Sequence, residues 1–276
     1  MNLRYRIIAL CILLPACSAT FSPVPPADAI AAASNRSANT ISLFAIDFSG
    51  NLTWLLDSEI ETGLTEVYGL CMFSNSHGMQ VFVNDKDGRY QQWGLHWVNY
   101  DHETDLPQIE ATLLREFRVS SQPEGCVADD EHERLFLGVE EIGVKVMQAN
   151  HQAGTQIQSI ADIDGIVLAE DVEGMSLFAD GKAGYLVVSS QGNNSYAVYE
   201  RLPPFTYRGS FVVSATADHA VDGTQETDGL AVNGVLQVPS FPKGLLVLQD
   251  GHNTNPTSNQ NFKLVSWQTV SELLGL

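Results

Sequence analysis

Four stretches share one local design: Glu66-Val67-Tyr68-Gly69 leading into Leu70-Cys71-Met72-Phe73, Glu124-Gly125 into Cys126-Val127-Ala128, Asp171-Val172-Glu173-Gly174 into Met175-Ser176-Leu177-Phe178, and Glu226-Thr227-Asp228-Gly229 into Leu230-Ala231-Val232. In each, an acid at or just before a glycine opens a short apolar run. The glycines Gly69, Gly125, Gly174 and Gly229 are spaced 56, 49 and 55 residues apart. A motif recurring at about 50 residues predicts the blades of a β-propeller, because a sandwich has no reason to repeat one.

Behind each opening run comes a second unit, an apolar run, a polar turn and another run. Gly184 to Ser190, Gln191 to Asn194 and Ser195 to Tyr199 are one example. The same unit recurs at 31–45, 81–97, 135–147 and 245–267, with turns around Asn35-Arg36, Asp85 to Gly88, Glu140-Glu141 and Asp250 to Asn253. These runs alternate apolar and polar residues and are rich in Val, Leu, Phe, Tyr and Trp, the period of strands. Helical spacing is confined to the leader and to the tail near Val270 to Leu274. The expectation is an all-β propeller with four motif-bearing blades. A fifth is cut short at its start, since the hairpin at 31–45 has no acid-glycine strand before it.

The 276 residues, 44% hydrophobic, suffice for a sizeable core. The formal charge of −19, from 33 acids against 14 bases, argues against nucleic acid or anionic lipid as a partner, which need clustered Lys and Arg. Cations are the natural counterpart.

In a propeller the innermost strand of each blade faces the central channel, so the residues before the repeated glycines converge near one mouth. Converging carboxylates repel unless a cation neutralises them. Oxygen donors without a His or Cys cluster suit calcium rather than zinc. The alternative is that these acids cap turns and close blades. Arg36 and Lys86 stand at equivalent hairpin turns, where each is suited to gripping an anionic oxygen or to solvating its turn. No phosphate-binding glycine loop, Gly-x-Ser-x-Gly or Ser/His/Asp signature is present, so a nucleophilic side chain has no support.

At the N-terminus Arg4 and Arg6 precede the apolar run Ile7 to Leu14, which is too short to span a bilayer. The segment 1–17 is therefore expected to be a signal peptide, and Leu14-Pro15-Ala16-Cys17 has the form of a bacterial lipobox that would lipidate Cys17. An ordinary cleaved leader is the alternative. Residues 18–29, with Pro23, Pro25 and Pro26, form a stiff tether, and 30–276 the propeller. The expected location is the outer membrane as a lipoprotein, or the periplasm or exterior, with membrane contact only through Cys17. Cys71 and Cys126 follow repeated glycines on expected core strands and are expected to be buried free thiols, with a disulfide as the alternative.

The order and spacing of Ala31-Ala32-Ala33-Ser34-Asn35-Arg36-Ser37, Glu66 to Gly69, Glu124-Gly125, Asp171 to Gly174, Ser189 to Arg201, Asp222 to Gly229, Gln249 to Gly251 and Gln260 to Lys263 resemble the β-propeller phytases from Ile30 to Trp267. That resemblance implies a six-bladed ring of which about four to five blades are present here. It also implies calcium-dependent hydrolysis of phytate, or its calcium salt, by direct attack of a calcium-activated water without a phosphoenzyme. By the same resemblance Glu124, Glu140, Asp171, Glu173, Asp222, Asp228 and Asn253 match calcium positions. Arg36, Tyr68 and Lys86 match phosphate contacts.

Two departures from the family pattern bear on the expectation. The family's N-terminal acidic block and lysine pair have no counterpart, and His252 stands where the family has an acid. The second expectation is thus a truncated relative that binds calcium or phosphorylated ligands with little or no turnover. A monomer is expected unless another chain closes the ring.

Overall fold

The computed structural model describes residues 11–13, 29–101, 106–218, 220–236, 238–255 and 257–276. The rest of the expected leader and tether, Cys17 included, lies outside them.

Five antiparallel sheets follow one another along the chain. The first holds β1 (Cys11–Leu13), β2 (Ala29–Asn35), β3 (Thr40–Ile46), β4 (Leu52–Trp54) and β5 (Ile60–Glu61). The second holds β6 (Val67–Asn75), β7 (Gly78–Asp85), β8 (Arg89–Asp101) and β9 (Leu106–Arg118). The third is β10 (Pro123–Asp129), β11 (Arg134–Val139), β12 (Gly143–Gln148) and β13 (Gln158–Asp162). The fourth is β14 (Val172–Asp180), β15 (Ala183–Ser190), β16 (Ser195–Glu200) and β17 (Tyr207–Phe211). The fifth is β18 (Leu230–Asn233), β19 (Leu245–Asp250) and β20 (Asn261–Ser266), followed by α1 (Trp267–Leu274). The second to fifth sheets are meanders in chain order, and the first is one over β1–β4 with β5 paired to β3, so the propeller and its five blades are as expected. The motif-bearing runs are the innermost strands β6, β10, β14 and β18. In the first blade that place beside β2 is taken by β1, which falls within the segment 1–17 expected to be a signal peptide and carries neither acid nor glycine.

Period-2 alternation sends successive side chains of a central strand to opposite faces, and each face packs on a different neighbour. In β7, Val81 and Val83 join Ile30, Ile41 and Leu43 of the first blade, while Phe82 joins Cys126, Leu135 and Leu137 of the third. In β11 the split repeats, because Phe136 packs with Val172, Leu186 and Val188 of the fourth blade. In β15, Val187 turns the other way, to Leu230, Leu246 and Trp267 of the fifth. Four apolar clusters thus cement five blades. Close contacts between innermost strands run β6 to β10, β10 to β14 and β14 to β18, and β2 and β1 both touch β6. No contact of comparable extent joins β18–β20 to β2–β5 among the described residues. The outer face of β20 accordingly leaves Phe262 and Leu264 exposed.

One expectation is corrected. Cys71 and Cys126 are not free thiols but a disulfide with a Cα–Cα distance of 5.7 Å. The repeat explains it: both cysteines stand soon after the repeated glycine on adjacent innermost strands, β6 and β10. The glycines bring those strands close enough for a bridge. Helical spacing in the tail is realised as α1, whose Trp267 and Val270 are buried against the fourth and fifth blades.

Candidate functional site

The repeated motif builds the mouth through two devices. First, β6, β10 and β14 each lose register at the motif, between Val67 and Leu70, Pro123 and Cys126, and Val172 and Met175. A bulge re-aims the side chain it contains, so Tyr68, Glu124 and Glu173 occupy equivalent stations. Asp228 precedes Gly229 in the same way. Second, each glycine leaves room for the next blade's backbone. A β-carbon on Gly125 would lie 2.6 Å from the Glu173 carbonyl oxygen, and one on Gly174 would lie 2.5 Å from that of Asp228. One on Gly69 would collide with the carbonyl of Glu124. The glycine of each of the first three motifs therefore seats the acid of the next.

The hairpin turns are locked to the same strands. The turn residues Lys86, Glu140 and Gln191 donate backbone N–H groups to the carbonyls of Glu66, Gln122 and Asp171, at 3.3, 2.9 and 2.9 Å. Each of these acceptors lies three residues before its glycine. The turn side chains are thereby placed on the rim above the pre-glycine ring.

The carboxylates are held against their charge. Burial, with Glu140 adding to it, pushes Glu124 up to about 7 despite a hydrogen bond from Gln122 and the nearby Lys86 charge. Glu173 is pushed up to about 9 by burial first and then by Glu124, Asp228, Asp171 and Glu140. Glu140 is raised by burial and by Asp171. Asp228 is raised by burial against the pull of Gln191, whose Nε2 donates to its Oδ1 at 2.6 Å. The five acids expected from the sequence at one mouth thus form one mutually repelling group.

Glu124 is buried and its Oε2 accepts no hydrogen bond. Among the described residues no three His, Cys, Asp or Glu side chains already make a metal-holding cluster. The donor chemistry nonetheless fits a hard cation: the donors are all oxygen, one acceptor is orphaned, and the charges disfavour one another until neutralised.

The basic residues converge on Tyr68. The Arg36 guanidinium carbon lies 4.4 Å from its ring centroid and Lys86 Nζ lies 4.7 Å from it. Both distances are within cation–π range. The Tyr68 hydroxyl is pushed up to about 12 by burial, then by Glu124 and Glu173, with Arg36 opposing. Tyr68 therefore stands, as a neutral phenol, between the Arg36–Lys86 pair and the carboxylates of Glu124 and Glu173. Glu66, to which the resemblance assigns no role, joins them. Its Oε1 stands 3.9 Å from Arg36 Nη2 and 3.6 Å from Lys86 Nζ, and its place three residues before Gly69, level with Asp171 and Glu226, is the signal that marks it.

Asp222 and Asn253 are brought together, but around another residue. Lys263 Nζ lies 2.6 Å from Asp222 Oδ1, 2.9 Å from Asp250 Oδ2, 3.0 Å from Asn253 Oδ1 and 2.9 Å from Asn261 Oδ1. This ammonium, with the backbone N–H groups of Thr254 and Asn255, holds Asp222 well below the usual carboxylate range. A metal ion there would share these oxygens with a tethered cation. His252, which stands where the family pattern has an acid, places Nδ1 3.0 Å from Glu226 Oε2.

The sequence profile of the phytase family matches residues 26–276. The chain belongs to the phytase family. A 3-phytase of Bacillus subtilis (strain 168) is 37% identical over 256 residues, covering 89% of this chain and 65% of the relative. This phytase-family chain thus spans a little under two thirds of that enzyme's length. Among solved structures, it resembles a functionally unknown protein from Desulfotomaculum acetoxidans DSM 771 at 18% identity and a TM-score of 0.47, over 73% of this chain and 57% of that one. It also resembles BBS1N, solved in complex with ARL6DN, at 11% identity and a TM-score of 0.48, over 87% and 64%.

Proposed function

We propose that this phytase-family protein hydrolyses phosphate monoesters of phytate in a calcium-dependent reaction, by direct attack of a calcium-activated water. The observation that carries the proposal is the division of one mouth into two halves. Arg36 and Lys86 meet over Tyr68 on one side, and Glu124, Glu140, Asp171, Glu173 and Asp228 crowd together on the other. Family membership and the similarity to a 3-phytase support the substrate.

In this proposal the carboxylates would hold calcium, which when bound would supply charge neutralisation for the phosphate oxygens and lower the pKa of a water. Arg36 and Lys86 bind a phosphate of the substrate, the first as a planar fork and the second as a point charge. Tyr68 backs both cations and, as a neutral phenol, offers an O–H to a phosphate oxygen. Gln191 and Gln122 orient Asp228 and Glu124 by donating to them. Asp222 and Asn253 belong to the calcium set by resemblance, and Lys263 orders them in its absence. Hydrolysis adds water across the P–O bond, leaving inorganic phosphate and an inositol hydroxyl.

The test is phosphate release from phytate by the purified protein, titrated with calcium and with EDTA. Release that rises with calcium and is abolished by EDTA is expected, and a folded, calcium-loaded protein that releases none overturns the proposal. A second reading, binding of calcium and phosphorylated ligands without turnover, is favoured by the absence, among the described residues, of extensive contact between β18–β20 and β2–β5. Phytate binding without release in the same assay would select it. Export is also proposed. The Cys71–Cys126 disulfide supports an oxidising compartment, and mass spectrometry of the mature N-terminus would show whether Cys17 carries lipid.

A further inference from the structure

Glu66 faces the two cations that the phosphate-ester reading assigns to substrate. One of its oxygens, Oε1, lies between Arg36 from the first blade and Lys86 from the second, at 3.9 and 3.6 Å. Both cations are at the same time held over the Tyr68 ring. An anionic oxygen between an arginine and a lysine is the arrangement that a bound phosphate oxygen would take.

The contact is loose. Both distances exceed hydrogen-bond length, and the Glu66 and Arg36 side chains are 56% and 55% exposed. An ion pair so open to water contributes little and is readily exchanged. Two pairs of the protein are made differently: Arg201 and Asp129 are buried and doubly hydrogen-bonded, and Lys263 is enclosed by Asp222 and Asp250. The backbone of Glu66 is nevertheless fixed. Its carbonyl accepts the Lys86 N–H and its own N–H donates to Asp85 Oδ2 at 3.4 Å. A fixed backbone carrying a lightly held carboxylate is what an exchangeable arm requires.

We propose that Glu66 is an internal competitor of the substrate: its carboxylate occupies the Arg36–Lys86 clamp in the free protein and swings out when a phosphate enters. This rests on the phosphate-binding role given above to the clamp. The consequence is selectivity by charge. A phosphate dianion outbids a single carboxylate for two cations, whereas a singly charged anion gains little by the exchange. The clamp would thus reject carboxylates and sulfate esters while admitting highly phosphorylated ligands.

The test is Glu66→Gln in the full chain, which keeps the shape and removes the charge. Binding of inorganic phosphate and of phytate is measured by calorimetry in calcium-free buffer, with a thermal melt as the check on folding. Glu66→Asp, one methylene shorter, serves as a second variant. Phosphate affinity is expected to rise by about three- to tenfold in Glu66→Gln, the removal of one like charge near the site, with a smaller rise in Glu66→Asp. Discrimination between phosphate and a singly charged sulfate monoester is expected to fall in both. If phytate is turned over, the change appears as a lower KM rather than a higher kcat. Unchanged or weaker phosphate binding in Glu66→Gln overturns the proposal, as does the absence of phosphate binding by parent and variant alike. Tighter binding with no phosphate release would sustain it while rejecting the enzymatic reading.

Discussion

The Arg36 guanidinium lies 4.4 Å from the centre of the Tyr68 ring, so a hairpin turn of the first blade and the innermost strand of the second share one surface. Neither residue reaches the other within a blade. Their meeting is a product of blade packing, and it predicts a coupled defect. Arg36→Ala and Lys86→Ala are each expected to raise KM for phytate on the order of tenfold or more, the loss of a charge-assisted contact. Tyr68→Leu should do the same by loosening both cations. Calcium affinity should hold in all three, and unchanged kinetics in both charge variants would remove the clamp from the mechanism.

Glu124 and Glu173 are raised because burial and their neighbours disfavour a second negative charge. Calcium should therefore stabilise the folded protein, by about 2.7 kcal/mol at a hundredfold excess over its dissociation constant. Glu124→Gln with Glu173→Gln should abolish most of that gain. Melting curves with calcium and with EDTA measure both, and an equal calcium shift in the double variant would place the ion elsewhere.

The Cys71–Cys126 bridge ties β6 to β10 across 55 residues of sequence. Its loss in Cys71→Ala with Cys126→Ala should cost about 2–4 kcal/mol. Denaturant unfolding of the variant, set beside that of the reduced parent, tests this. Agreement between the two is expected if the cross-link rather than sulfur packing carries the effect.

Asp129 gives a pH dependence of stability. Burial alone would raise it, but Arg201, which grips both its oxygens, and His132, with Nδ1 2.9 Å from Oδ2, hold it below the usual range. A carboxylate lowered by folding stabilises the protein above its unfolded pKa of about 3.9 and loses that contribution as pH falls through the lower folded value. Acid unfolding below about pH 4 should therefore be blunted in Asp129→Leu with Arg201→Met. At neutral pH, breaking the pair by Asp129→Ala alone should cost about 3–5 kcal/mol. Denaturant midpoints across pH 2–7 decide it.

Gly125→Ala would set a methyl 2.6 Å from the Glu173 carbonyl and 3.0 Å from the Gly174 Cα, where only backbone can yield. A loss of about 1–3 kcal/mol is expected, together with weaker calcium binding, because the same contact seats Glu173. Gly94→Ala, whose new methyl would meet the His96 and Leu114 side chains at 3.3 Å, is the milder control. Urea titration with and without calcium distinguishes packing from site damage.

The sequence by itself determined the all-β class, the repeat that makes the blades, the family and the convergence of Glu124, Glu173 and Asp228. These follow from local chemistry repeated at a fixed period: alternation fixes strand faces, and an acid before a glycine fixes what stands at each inner strand. Tertiary structure decided what depends on distance between blades. It joined Cys71 to Cys126, set Arg36 and Lys86 over one ring, and placed Glu66 between them. It also turned Asp222 and Asn253 toward Lys263, a residue about 10 positions beyond Asn253 whose ammonium no spacing rule links to them. A repeat specifies each blade from within. Which side chains meet across two blades depends on how closely the glycines let the backbones approach, and that is a property of the assembled ring.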